Sequence, residues 1–461
     1  MKQKESDFLK FINRHFHVVI YSAYFFILMF LFYKAKLHLL FSLPSPGSDE
    51  FAILKAVKAF QDGSYNAADY KFSPAYILFL SILGYCSYGN LIIMRILQAA
   101  LCSFIPVYIY KLSRKLRIGR ENSQIAAFIY CLYGAAAMVS LSFSSNAVTA
   151  LLFLMFIYFL IKSFLSQKWY NYGLTGFFAA FSLLFGGVTF LPVLCIVPLA
   201  ALLSSKVRRR LNSKKITILI LTFMAIMVPA VVFGRFPFRT FNFTGGLHSL
   251  FPLFSSYEIP ESVSLYSYAD ILDFMKIFIV PFNFLVIMVL LSFTIKKRES
   301  VVFFIGLFII SYFIFILYPH NSYCNRAPVV PIMCVLAGTT IFGIRNEKSK
   351  LKIITLLLAA SIFTFLTYKN PDSMRSDNEK RAVADILTRA GRYEKATAYL
   401  DKLENEGIAS TDQWVELIKS ICRSGDVQWS LEVEYLFLNH LKKRTDWQVI
   451  MPMNPNENKK N

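Results

Sequence analysis

Two adjacent carboxylates, Asp49 and Glu50, follow a turn built from Pro44, Pro46 and Gly47, directly after the first long apolar stretch. A carboxylate held at a membrane surface can take a proton from an acceptor hydroxyl, or help bind a metal that carries phosphate. The same residues also suit a structural role. Ser48 or Asp49 can cap the amphipathic stretch over residues 51–60, with Glu50 in a first turn that the helix dipole favours. The two roles are compatible for different atoms of the same residues. Arg326, at the mouth of a late apolar segment, can hold a phosphate oxygen because a guanidinium matches phosphate bidentately; its structural alternative is snorkelling at the interface. Arg235 and Arg239 are further phosphate candidates. Tyr70, Lys71, His248, His320 and Tyr323 complete the set of polar residues placed to contribute.

The elements that must position these groups follow from composition. The chain has 461 residues, of which 56% are hydrophobic, 16% aromatic and 17% charged, and its mean hydropathy is +0.49. A soluble domain carries roughly a quarter charged residues. The apolar stretches are longer than core helices need, and hydrocarbon about 30 Å thick requires roughly 20 apolar residues per helix. A soluble enzyme, a disordered chain and a secreted disulfide scaffold are all excluded, and an all-α polytopic membrane protein is expected. The seven cysteines show no CxxC pair and no regular spacing, so neither a structural disulfide nor a zinc site is implied. The basic lead-in, residues 1–17, has no small-residue cleavage site before the first apolar run and reads as retained.

The net charge of +21 does not indicate a nucleic-acid partner. From Lys369 onward 15 basic and 15 acidic residues cancel, leaving 34 basic against 13 acidic before it. The excess falls in short runs between apolar segments, as topology signals do, whereas nucleic-acid binding needs a continuous basic surface.

Apolar segments run approximately over 16–33, 73–88, 91–110, 122–141, 147–165, 172–186, 188–204, 215–234, 274–295, 301–318, 327–343 and 351–368. If 73–88 does not cross, the loops 111–121, 162–171, 205–215, 296–300 and 344–352 share one side with 20 Lys and Arg, against 8 opposite. If it crosses, the positive-inside rule fails throughout. Segment 73–88 is therefore expected to be re-entrant or interfacial, leaving 11 spans with the N-terminus cytoplasmic and the C-terminal domain outside. Eight of the 13 acidic residues before Lys369 then lie in two outer loops, 34–90 and 235–273. Ionisable relays at mid-depth, which ion-coupled transporters need, are missing from the spans, with Arg95 near a helix end.

After Tyr368 the chain turns polar, with a break at Asn370-Pro371. Ala390 to Ala396 followed by Tyr399-Leu400 has the spacing of a helical hairpin repeat, and a second pair is expected over 412–423 and 427–443. The expected organisation is a membrane domain, 1–368, an extracytoplasmic helical, tetratricopeptide-like domain, 369–450, and a disordered tail, 451–461.

The order of features carries a resemblance. Asp49-Glu50 is followed by Phe60 to Tyr65, by Lys71-Phe72-Ser73-Pro74-Ala75-Tyr76, and by Met94-Arg95-Ile96-Leu97 leading into Tyr108, Leu112, Arg114 and Leu116. Downstream come Gly186-Gly187-Val188-Thr189-Phe190-Leu191-Pro192, Val228-Pro229 through Phe241 to Gly246, and Asn325-Arg326-Ala327-Pro328-Val329-Val330-Pro331. Over about residues 40–345 this resembles the GT-C membrane glycosyltransferases, in particular the family of protein O-mannosyltransferases and lipid A aminoarabinose transferases.

The resemblance implies a GT-C-like bundle with juxtamembrane helices in the first outer loop. It implies transfer of a hexose or pentose from a polyprenyl-phosphate donor to a glycan, lipid or protein acceptor at the outer face, with inversion. Asp49 takes the place of the family's catalytic loop carboxylate, with Glu50 beside it. Many relatives carry a second acid where this chain has Ser142-Phe143-Ser144-Ser145-Asn146; Asn146 can hydrogen-bond but cannot act as a base. The metal requirement is accordingly open, with Mg or Mn as the options. A bacterial inner membrane is the expected setting, with membrane lipids around the protein. Two readings compete: an O-antigen-type polymerase or ligase using Arg239 or His248, and a non-enzymatic transporter or scaffold.

Overall fold

The computed structural model describes residues 14–34, 49–66, 72–186, 213–232, 282–295, 300–313, 326–346, 377–389 and 391–424, with a few isolated positions between them. Every regular element among the described residues is helical. The chain divides between Ser373 and Met374 into two units.

In the first unit α1 spans Phe16–Lys34 and α2 Asp49–Gln61. Helix α3, Pro74–Cys86, starts where Ser73 accepts a hydrogen bond from the Tyr76 amide and Pro74 occupies the first turn, a position where proline's missing N–H is not needed. It has 13 residues and so is about 20 Å long, short of the roughly 30 Å of hydrocarbon. The chain leaves it through Tyr88 and Gly89, both at positive φ. Asn90 then opens the next helix by accepting from the amides of Ile92 and Ile93.

Two apolar runs that read as single helices are broken. Residues 91–110 form α4, Leu91–Cys102, and α5, Phe104–Lys115. Pro106 can give no amide to the Cys102 carbonyl one turn back, and the Ser103 hydroxyl adds a second hydrogen bond, at 2.8 Å, to the Ala99 carbonyl that already accepts from its own amide. Residues 122–141 form α6, Arg120–Cys131, and α7, Gly134–Leu141, bent by 59° at the break. Next come α8, Ser145–Ser166, α9, Trp169–Gly186, and α10, Ser213–Val232, which contains Pro229. Helices α11, Phe282–Ile295, α12, Ser300–Tyr312, and α13, Val330–Asn346, follow. Among the described residues three helical stretches are long and apolar enough to cross a membrane, Phe16–Tyr33, Leu91–Lys115 and Ser145–Ser166, with the bent α6–α7 pair as a fourth. The expected segments 188–204 and 351–368 lie almost wholly outside the described residues.

Helix α8 packs on α9 and α5, α9 on α10, and α13 on α5, α6 and α11. Small residues permit the closest approaches, as lipid-embedded bundles require. A methyl group on Gly176 of α9 would lie 2.3 Å from the Leu219 carbonyl oxygen of α10, and one on Gly338 of α13 would lie 2.9 Å from Ala126 of α6.

In the second unit α14, Asp377–Arg389, and α15, Tyr393–Asn405, form a hairpin around Gly391, and α16, Thr411–Ser424, follows Gly407. Both glycines have positive φ, which a side chain would oppose. Trp414, Leu417 and Ile421 of α16 are buried, as are Val383, Leu387, Leu400 and Leu403 of the hairpin. Gln413 donates to the Arg381 carbonyl at 2.9 Å and to the Asp385 carboxylate at 3.0 Å. Burial pushes the Asp385 carboxyl above its usual range, against the opposing pull of Gln413 and Arg389. The expected helix over 427–443 and the tail lie outside the described residues.

Gly176→Ala should cost about 1–3 kcal/mol by overpacking the α9–α10 contact, read as a lower thermal unfolding midpoint in detergent. Gly173→Ala, whose methyl would meet nothing closer than 3.7 Å, should leave that midpoint unchanged.

Candidate functional site

Glu50, the second residue of α2, is 4% exposed, and its neighbour across the bundle, Arg95 of α4, is 1% exposed. Arg95 Nη1 donates to Glu50 Oε1 at 2.6 Å, closing an ion pair between residues 45 apart in sequence. The same Nη1 donates to the Leu141 carbonyl at 2.7 Å, and the Phe143 amide donates to the same Glu50 oxygen at 2.8 Å. The Arg95 guanidinium also stands over the Phe143 ring, 4.0 Å from its centroid. A cation over an aromatic face is attracted by the ring's quadrupole, more strongly where water is excluded.

Local sequence explains the arrangement. Leu141 ends α7, so its carbonyl is one of the four that a helix leaves without an internal partner, at the negative end of the dipole. Arg95 supplies a cation there. Gln98, one helical turn further along α4, donates to the Ser142 carbonyl at 2.6 Å and the Ser140 carbonyl at 3.3 Å, and accepts from the Tyr76 hydroxyl of α3 at 3.1 Å. Arg95 and Gln98 thus grip the turn at 140–142 from one face of one helix. Beneath them Phe143, Tyr76, Ile53, Val57, Leu80, Met94, Val148 and Phe185 form a continuous apolar cluster. The Ser73 hydroxyl donates to the Leu184 carbonyl, joining the start of α3 to the end of α9.

Asp49 begins α2, immediately before the anchored Glu50. Ser144 caps α8 by accepting from the Asn146 amide at 3.4 Å, and Asn146 is partly buried in the first turn of that helix. The Glu50–Phe143 hydrogen bond therefore ties the start of α2 to the segment Ser142–Asn146, where relatives were expected to carry a second acid. Arg326 is 1% exposed, in the turn before α13, with its guanidinium 4.4 Å from the centroid of the Phe282 ring of α11. Tyr70, Lys71, Arg235, Arg239, His248, His320 and Tyr323 lie outside the described residues. Among the described residues no group of three His, Cys, Asp or Glu side chains gathers as a metal site.

Arg95, Gln98 and Tyr76 were not among the sequence candidates. The signal for Arg95 was present: an ionisable residue in an apolar helix requires a partner, and few carboxylates were available to provide one. Gln98 and Tyr76 carried no comparable mark.

Residues 73–233 match the family model for dolichyl-phosphate-mannose-protein mannosyltransferases. Over that segment the resemblance to GT-C membrane glycosyltransferases holds. A comparison with curated protein sequences gives no match. Among solved structures, ArnT from Cupriavidus metallidurans bound to undecaprenyl phosphate aligns with a TM-score of 0.48 and 14% identity, over 92% of this chain and 75% of its own.

Removing one partner of a buried ion pair leaves the other charge uncompensated and costs about 3–5 kcal/mol. Arg95→Met and Glu50→Gln should therefore each lower the unfolding midpoint in detergent strongly. The double variant should lose clearly less than the sum of the two, as residues sharing one contact do.

Proposed function

We propose that this protein is a membrane glycosyltransferase that moves a sugar from a polyprenyl-phosphate donor to an acceptor hydroxyl at the outer membrane face. The observation that carries the reading is the family match over residues 73–233, whose first part holds the Arg95 and Gln98 grip on the 140–142 turn. That grip and the Glu50 ion pair set α2 and the 142–146 segment against one another.

In this reading Asp49 is the general base and Glu50 the residue that positions it. The acceptor oxygen attacks the anomeric carbon from the face opposite the phosphate, and its proton passes to the Asp49 carboxylate. The bond between the anomeric carbon and the phosphate oxygen breaks, the configuration inverts, and the lipid phosphate leaves with the negative charge. A positive group aimed at the leaving oxygen lowers the barrier most where water is scarce. Arg326 is our choice for that group, because its guanidinium is buried against an aromatic ring, a setting Arg tolerates better than Lys. Arg235 and Arg239 are secondary choices. Asn146 contributes hydrogen bonding to the acceptor or the sugar, leaving one base in the site. The donor sugar is a hexose or pentose, the setting is a bacterial inner membrane, and the helical C-terminal unit is extracytoplasmic.

Complementation of a knockout, read by mass spectrometry of the extracytoplasmic glycans at matched protein levels, tests the assignment. Wild type should restore a missing sugar, and Asp49→Asn should restore none while inserting and folding normally. A fully active Asn variant removes Asp49 from the chemistry.

A further inference from the structure

The end of the bundle away from Glu50 carries a cluster of cations backed by aromatic rings. Helix α8 has 22 residues and so is about 33 Å long, which sets its C-terminal end a membrane thickness from the Ser144 cap. At that far end Phe16 of α1 packs on Tyr110 of α5 at 4.7 Å, and Lys215 of α10 donates to Gln167 at 3.1 Å. Helix termini from α1, α5, α6, α8, α9 and α10 therefore meet there. Five exposed cations fall between Lys111 and Arg120, and Lys162 and Lys168 add to them. Glu121 is the one carboxylate among the described residues of this end.

Within this field α5 and α8 build a specific floor. The rings of Tyr108 and Tyr158 meet edge to face at 5.4 Å. The Lys111 ammonium lies 5.2 Å from the Tyr108 centroid, and the Lys162 ammonium lies 5.8 Å from Tyr158 and 5.4 Å from Phe159. Two cations from neighbouring helices are thus held over one aromatic surface, in the C-terminal halves of α5 and α8. At the start of α9 Trp169 and Tyr170 are exposed, with Lys168 5.9 Å from the Tyr170 ring. Aromatic rings with neighbouring Lys mark that boundary. A ligand complementary to the floor has an apolar body and a phosphate at its polar edge.

We propose that Lys111 and Lys162, over the Tyr108–Tyr158 floor, bind the phosphate of an anionic phospholipid from the leaflet this end faces. Phosphatidylglycerol fits the charge complement, and zwitterionic phosphatidylethanolamine, whose ammonium opposes the lysines, does not. The inference is independent of the transfer reaction, since it uses none of the residues assigned to it.

Native mass spectrometry of the full chain released from detergent, with phosphatidylglycerol or phosphatidylethanolamine added, tests it. Wild type should retain phosphatidylglycerol preferentially. Lys111→Gln/Lys162→Gln should lower that retention of the order of tenfold, since each basic residue near a charged surface contributes a several-fold factor, and should leave phosphatidylethanolamine unchanged. Lys111→Arg/Lys162→Arg, which keeps both charges, should bind like wild type. Equal retention of the two lipids by wild type overturns the proposal, as does an undiminished phosphatidylglycerol signal in the Gln variant or its loss in the Arg variant.

Discussion

A carboxylate and a guanidinium withdrawn from water at the edge of an apolar bundle must find each other, and one end of this protein is arranged around that requirement. Each ion alone in such a place would cost several kcal/mol, and the pair breaks even only with short contacts and further hydrogen bonds. Glu50 and Arg95 meet both conditions, at 2.6 Å and with the Phe143 amide and Leu141 carbonyl completing the set. Burial thus becomes a positional constraint. Three segments far apart in sequence, the start of α2, the second turn of α4 and the junction of α7 and α8, hold one arrangement because any other leaves a charge or a helix end without a partner.

The constraint also sets where α2 begins. Glu50 is committed to Arg95 and the 143 backbone, so it fixes where the adjacent residue begins its helix. That adjacent residue is Asp49. A buried, paired carboxylate suits anchoring, the role Glu50 takes here. At the opposite end the charges are nearly all of one sign, as a leaflet rich in anionic headgroups favours. The 22-residue α8 connects the two ends, separating the buried Glu50–Arg95 pair from the cation-rich end.

Much of this was legible in the sequence, for reasons that differ by residue. Long apolar runs read as helices for a membrane, and Ser73-Pro74 and Asn90 mark helix starts with side chains that satisfy free amides. The bend between α6 and α7 was hidden because its junction, Leu132-Tyr133, is as apolar as the helices it joins. The break at Ser103 was announced only by Pro106, which short-range patterns allow inside a helix's first turn. Asp49 and Glu50 stood out as an acidic pair, but their separate roles depend on Arg95, a partner 45 residues away. Sequence spacing says nothing about such a contact; only the fold brings the two together.

Hydrogen exchange of the protein in detergent, comparing wild type with Arg95→Met, shows whether the Glu50–Arg95 pair holds these segments together. If the ion pair is the common anchor, residues 50–54 and 141–146 lose protection together in the variant while the centre of α8 keeps its own. If either segment stays as protected as in wild type, the two are held by separate means and the account of the site is wrong.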